Sequence, residues 1–231
     1  MNITIIANGV FPEREDLLRG LCAADRVVCC DGAFEKYLRW RLSLHEAPRH
    51  RVAVVGDGDS LAPQVLQRAR ESAMAFDYQR VAEQEYNDLT KAVRYALEGD
   101  ADAPSQGEPV HIDILGATGL REDHTVGNIS LLAYYAETFN TPRHPCTFRL
   151  RTDCGDFLPV NGKVRIATRA GQQVSFFALS PDKPVTVRGV RWELEQRCVP
   201  WWWQATLNEA LGESIEVEGQ RLLVYLVQVH A

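Results

Sequence analysis

From Asn2 to about Asn140 the chain alternates between two kinds of pattern. The runs ITIIA, RVVCC, RVAVVG and VHIDILG are short, apolar and β-rich, whereas REDLLRGLCAA, FEKYLRW, LAPQVLQRARESA, NDLTKAVRYALEG and DHTVGNISLLAYYAETF read as helical. Strand and helix in turn predict an α/β unit, a mainly parallel sheet with flanking helices. Ligands of such sheets gather at the carboxyl ends of the strands. After the polar break TPRHP at 141–145 no long helical pattern returns. CTFRL, KVRIAT, QQVSFFAL, KPVTVRGV, ESIEVE and RLLVYLVQV are short, partly alternating and bounded by Gly, Pro, Asn or Asp. They predict an all-β sandwich or barrel-like domain in which EVEGQRLLV forms a closing hairpin. The expected domains are therefore 1–142 and 143–231, with GDADAPSQGEP at 99–109 as a flexible surface loop.

Composition narrows the function. The 231 residues are 45% hydrophobic, enough for a substantial core. The net charge of −6 is uneven: residues 1–145 carry 15 basic against 22 acidic side chains, and 146–231 carry 10 against 9. Without a basic stripe, no nucleic-acid partner is expected. No apolar run is long enough to cross a membrane, and MNITIIANGV, lacking a basic leader, reads as a first strand and not a signal peptide. Six cysteines without CxxC spacing fit a reduced, cytoplasmic chain without structural zinc.

The acidic excess is clustered. VAVVGDGDS at 52–60, QEYNDLTKA at 84–92 and ILGATGLREDH at 114–124 each place polar or acidic residues just after an apolar run. Carboxylates gathered at strand ends make sense chiefly around a divalent cation holding a polyphosphate, so a Mg²⁺ and nucleotide site is expected. Asp57 and Asp59 leave the third strand together between glycines; an Asp-Gly turn with a helix cap at Asp59 or Ser60 is the plain structural alternative. Glu85, Asn87 and Asp88 stand at the start of LTKAVRYAL, where a helix N-terminus favours negative charge and supplies donors to phosphate. Asp88 as a mere cap, and Lys91 as a solvated lysine, are the alternatives there. Gly116-Ala117-Thr118-Gly119 forms a small-residue loop before Arg121, Asp123 and His124, and His124 and Asn128 share a helix face.

No GxxxxGK[ST] loop, GxGxxG fingerprint, GxSxG elbow or HExxH motif is present. What is present resembles the thiamine pyrophosphokinase family. That family's Asp-Gly-Gly, Gly-Asp-Phe-Asp-Ser, Asp-x-Thr-Asp-x-x-Lys-Ala and Gly-Gly-Arg-x-Asp-His elements have counterparts, in the same order, in this chain. They are Asp31-Gly32-Ala33, Gly56-Asp57-Gly58-Asp59-Ser60, Glu85-Tyr86-Asn87-Asp88 with Lys91-Ala92, and Gly119-Leu120-Arg121-Glu122-Asp123-His124 with Asn128. RGVRWEL at 188–194 and TLNEALGESIEVEGQRLLVYL at 206–226 are similar to its thiamine-binding β domain, and Asn208-Glu209 matches its Ser-Asn-Glu with Leu207 in the serine position. The departures are Gly58 for an aromatic residue, Ala33 and Leu120 for glycines, and Glu85 and Asn87 for Asp and Thr.

The resemblance implies an ATP-dependent transferase that moves a pyrophosphoryl group to the hydroxyl of thiamine, giving AMP and thiamine diphosphate. It implies Mg²⁺ on Asp57, Asp59 and Asp88, and catalytic roles for these with Arg121 and Asp123. ATP would meet Asn8, Gly9, Asp31, Gly116, Thr118 and Lys91. Thiamine would meet Asp123, His124, Asn128, Trp202 and Asn208 in a homodimer, one of Trp201, Trp202 and Trp203 offering a flat face to the cationic ring. A pyrophosphokinase or phosphohydrolase acting on another alcohol, such as a hydroxymethylpterin, and a non-catalytic thiamine or nucleotide sensor are the alternatives.

Overall fold

The structure is a computed structural model that describes residues 1–99 and 103–228; of the expected 99–109 loop, positions 100–102 lie outside the described residues. The chain divides into two compact units, Met1–Asn128 with Pro142–Thr147, and Ile129–Thr141 with Phe148–Ala231.

The first unit holds five parallel strands in the order β5-β1-β2-β3-β4. β1 (Asn2–Ile6), β2 (Arg26–Cys30), β3 (Arg51–Gly56) and β5 (Val110–Leu115) are the four expected runs. All five residues of β2 are buried, as in a strand covered on both faces. β4 (Asp77–Arg80) was not foreseen, because DYQR has no apolar run to bury and every position, Tyr78 included, is exposed. It is an edge strand held by backbone pairing from Ala53↔Asp77 to Gly56↔Arg80, and its charged ends suit an unpaired edge.

The helices α1 (Glu15–Ala23), α2 (Ala33–Ser43), α3 (Pro63–Glu71) and α4 (Asp88–Glu98) fall in the expected stretches. α2 packs on β1 and β2 through Ala33, Phe34, Tyr37 and Leu38. α4 packs on β1, β2 and β3, burying Leu89, Ala92, Val93 and Ala96. α3 begins with Pro63 at a helix start that has no side-chain cap, so neither Asp59 nor Ser60 caps it. α5 (Glu122–Thr138) begins in the first unit and ends in the second.

The second unit is antiparallel, built on β6 (Cys146–Arg151) from Phe148 onward, β7 (Gly155–Ala167), β8 (Gln173–Ala178), β9 (Pro184–Arg188), β10 (Leu194–Cys198), β11 (Asn208–Glu209) and β12 (Ser214–Val227). Its core gathers Val160, Val174, Phe176, Val187, Val217, Leu222 and Val224. The expected EVEGQRLLV hairpin is wrong: both halves belong to β12, which pairs with β7 from Ser214↔Ala167 to Val227↔Gly155. The turn-like EGQR composition instead makes a bulge between Gly219 and Leu222, with Arg221 at φ 47°. The bend lets one strand serve two neighbours, β9 along Glu216–Glu218 and β8 along Leu222–Leu226.

Candidate active site at the carboxyl edge of the parallel sheet

Each strand of the first unit delivers one piece of the site as it leaves the sheet. After β2, Asp31 is 1% exposed; its Oδ2 accepts from the Ser60 amide at 2.8 Å, while its Oδ1 is buried without a hydrogen-bond partner. A β-carbon at Gly56 would stand 2.6 Å from Asp31 Cβ, so only glycine at the end of β3 lets the two strand ends close together. Burial pushes the Asp31 carboxyl above its ordinary range, the Ser60 amide opposing and the charges of Asp57 and Asp59 adding to the rise.

Asp57 follows β3 and is held from the β4 side. Gln84 Nε2 donates to its Oδ2 at 3.0 Å, the Asp59 amide to its Oδ1 at 3.2 Å, and Arg80 Nε to its carbonyl at 2.9 Å. The Gln84 bond, with the Asp59 amide, draws the Asp57 carboxyl down, so it stays ionised. One carboxylate oxygen from each of Asp31, Asp57 and Asp59 lies within 4.8 Å of the others. Hard oxygen donors at this spacing, with one oxygen buried and unpartnered, fit a Mg²⁺ ion.

Asp88 stands beside this group but is paired: its Oδ1 lies 3.5 Å from Lys91 Nζ, and the lysine is only 5% exposed. The solvated reading of Lys91 therefore fails. Burial raises the Asp88 carboxyl, Lys91 opposes it, and the negative charges of Asp57 and Asp31 add to the rise. The cap of α4 is Asn87 and not Asp88: Asn87 Oδ1 accepts from the Thr90 amide at 2.9 Å. Asn87 Nδ2 also donates to Asn128 Oδ1 at 3.4 Å, and Asn128 Nδ2 to the Ala117 carbonyl at 2.9 Å, which ties α4 to α5 and to the loop after β5.

That loop meets the turn after β1. Gly9 N–H donates to the Gly116 carbonyl at 2.5 Å and Val10 N–H to the Thr118 carbonyl at 2.8 Å. Gly116 has φ 64°, a left-handed conformation that turns the chain back over the strand end. Arg121 and Asp123 form an exposed two-bond fork, 3.1 Å from Nε and 2.6 Å from Nη2, that draws the Asp123 carboxyl down to about 2. Asp123 Oδ1 also accepts from the His124 amide at 2.8 Å, at the start of α5.

These pieces surround a cleft of about 600 Å³ lined by residues of the first unit alone. Of the residues singled out in the sequence, Asn8, Gly9, Asp57, Asp59, Asp88, Lys91, Thr118, Arg121, His124 and Asn128 line it. Asp31, Gly116 and Asp123 sit behind or beside the wall. Gln84 and Tyr86 also line it and were missed, although Gln84 stands within the acidic run and its amide was the available signal.

Trp202 and Asn208 belong to the second unit and do not line this cleft. Trp202 is 44% exposed, donates from Nε1 to the Ala178 carbonyl at 3.2 Å and stands edge-on to Phe177. Asn208 is buried, donating to the Trp192 carbonyl at 2.8 Å and accepting from the Trp192 and Glu209 amides, so its hydrogen bonds fix backbone.

Residues 19–142 match the family described as thiamin pyrophosphokinase, catalytic domain, and residues 155–225 match thiamin pyrophosphokinase, substrate-binding domain. Among solved structures the chain is similar to a thiamine pyrophosphokinase from Bacillus subtilis, with 22% identity over 100% of both chains and a TM-score of 0.74. It is similar to that of Candida albicans, with 20% identity over 99% of this chain and 90% of the other and a TM-score of 0.76. The yeast enzyme gives 16% identity, 98% and 86% coverage and 0.74. No curated protein sequence matches.

Proposed function

The chain belongs to the thiamin pyrophosphokinase family, a transferase that pyrophosphorylates thiamine, and from that premise we propose how the cleft works. ATP is the donor, and the thiamine hydroxyl oxygen attacks its β-phosphorus. The bond from the β-phosphorus to the α–β bridging oxygen breaks, AMP leaves with the electron pair, and the hydroxyl proton is released to water. The observation that carries this reading is the group of Asp31, Asp57 and Asp59 at the strand ends, with the buried Asp31 Oδ1 unpartnered, beside a cleft that Asp57 and Asp59 line.

Asp57, Asp59 and Asp31 would hold Mg²⁺, with Asp88 beside them. When bound, the ion neutralises polyphosphate charge as the leaving group develops. The protein's own groups do the rest. Lys91, buried against Asp88, offers a fixed ammonium to the phosphates, and Asn8, Gly9 and Thr118 bring polar backbone and an amide to the same end. Arg121 stands at the rim with its Nε and Nη2 held by Asp123, which leaves Nη1 to donate to the phosphates. His124 and Asn128 share the α5 face that lines the cleft and orient the thiamine end.

The substrate-binding match over 155–225 favours thiamine over a pterin alcohol. The same reading assigns a tryptophan of 201–203 to the cationic ring in a homodimer and sets the protein in the cytoplasm, where free thiols such as the six here persist. No helix among the described residues is long and apolar enough to cross a membrane. The deciding experiment is incubation with ATP, Mg²⁺ and thiamine, which should yield equal amounts of AMP and thiamine diphosphate. Formation of ADP and thiamine monophosphate would overturn the proposed attack at the β-phosphorus.

A further inference from the structure

Lys36 lies on α2, outside the residues that wall the cleft, yet its ammonium reaches the turn after β1. Nζ donates to the Asn8 carbonyl at 2.9 Å and to the Gly9 carbonyl at 2.6 Å. The two peptide units involved are also bonded on their other edges, through Gly9 N–H to the Gly116 carbonyl and Val10 N–H to the Thr118 carbonyl. A trans peptide carries its C=O and N–H on opposite edges. Each unit is therefore strung between the one ammonium and one loop carbonyl, and two consecutive peptides are locked in a single orientation.

The locked turn carries groups that line the cleft. Asn8 Nδ2 lies against Gly32, so close that a β-carbon there would meet it at 2.5 Å, and Gly9 is pressed against the carbonyl oxygens of Gly116 and Thr118. Asn8, Gly9, Gly32 and Thr118 all line the cleft. Without a cation, the two converging carbonyls would repel each other, and rotation of either peptide would turn a carbonyl toward the phosphates or toward the Gly116–Thr118 carbonyls. Burial lowers the Lys36 ammonium from its ordinary range, with Glu35 opposing and Arg39 adding to the fall, so this cation is retained at a desolvation cost.

We infer that Lys36 is a positioning residue for the polyphosphate end of the cleft, fixing the Asn8–Gly9 turn against the Gly116–Thr118 loop without lining the cleft itself. The inference rests on the ATP reading above. Lys36→Met keeps the stem and removes the donors, and Lys36→Arg returns a cation. In Lys36→Met, amide hydrogen exchange at Gly9 and Val10 should quicken about tenfold or more while the amides of β1 stay protected. The KM for ATP should rise about tenfold or more with the KM for thiamine within about twofold, and Lys36→Arg should recover most of both effects. Unchanged protection at Gly9 and Val10 with an unchanged ATP KM overturns the inference. So does a loss spread over both KM values and over exchange throughout the first unit, the mark of a merely structural lysine. Should Lys36→Met fail to fold, Lys36→Gln is judged by the same two criteria. If the wild-type protein makes no thiamine diphosphate, the functional reading fails alone, and the exchange comparison still decides the role of Lys36.

Discussion

The Asp31 carboxyl has one oxygen on the Ser60 amide and the other buried and unpartnered, so in the unliganded protein its charge is a liability to the fold. Its folded pKa is raised, so between the ordinary value of 3.8 and the folded value the native state binds more protons and stability falls as pH rises. Above that window the whole penalty is present. Asp31→Asn should therefore raise the melting temperature at neutral pH, an advantage that fades as pH falls through the window, while activity drops about 100-fold or more. Added Mg²⁺ should stabilise the wild type and leave the variant unmoved. A variant less stable than wild type at pH 7 would contradict this account. His50 behaves oppositely. It is bonded to the Tyr37 hydroxyl at 2.6 Å, and burial, with the nearby Arg41 charge, lowers it from 6.5 to about 4. Between those values the unfolded chain binds more protons, so stability should decline as pH falls from 6.5 to 4 and then level as far as His50 is concerned. In urea titrations across that range, His50→Gln should flatten the slope; an identical slope would remove His50 as its source.

At the scale of elements, the start of α4 joins fold to chemistry. Asn87 caps the helix through Thr90 and reaches Asn128, while the next residue, Asp88, faces the cleft with Lys91. Asn87→Ala should cost about 1 kcal/mol, whereas Asn87→Ser should keep most of the cap. Chemical denaturation of both variants checks this, and equal losses would deny the capping role. The strands and helices of the first unit were legible because each buries a continuous apolar run or one apolar face. β4 was not, since DYQR buries no apolar run and is held by backbone pairing and by the Arg80 bond to the Asp57 carbonyl. The β12 bulge was misread because Gly, Gln and Arg suit a hairpin turn as well as a kink, and the choice lies in which partner strand continues past it. The same division holds in the site. Acidic residues after apolar runs announced Asp57, Asp59 and Asp88, but only the folded chain brings Asp31 to within 4.8 Å of Asp57 and Asp59. Lys36 gave no signal, because a lysine that bonds backbone carbonyls across the fold looks like any lysine on a helix.

At the scale of the whole molecule, the second unit carries an unusual surface. Trp201 and Trp203 are 64% and 73% exposed, and Trp192, Leu207 and Leu211 are also open to solvent. Asn208 ties the Trp192 backbone beside its own segment, so these side chains belong to two segments held together and not to scattered positions. Apolar side chains left in water on tied segments suit burial against a protein surface or a flat ligand. Covering roughly 100 Å² more of one indole is worth about 2.5 kcal/mol, enough to alter an affinity more than tenfold. The proposed homodimer with a tryptophan on the thiamine ring would use this surface for both ends. Sedimentation should give twice the chain mass, and alanine replacement of Trp201, Trp202 and Trp203 in turn should separate their roles. For one of them the thiamine KM should rise about tenfold or more while the ATP KM and the dimer persist, because a ring-stacking face contributes only once thiamine is bound. Trp202, already committed to the Ala178 carbonyl and Phe177, should be the variant that also lowers stability. If all three remain dimeric with an unchanged thiamine KM, no tryptophan of this segment meets the ring. A monomeric wild-type chain at micromolar concentration would remove the dimer itself.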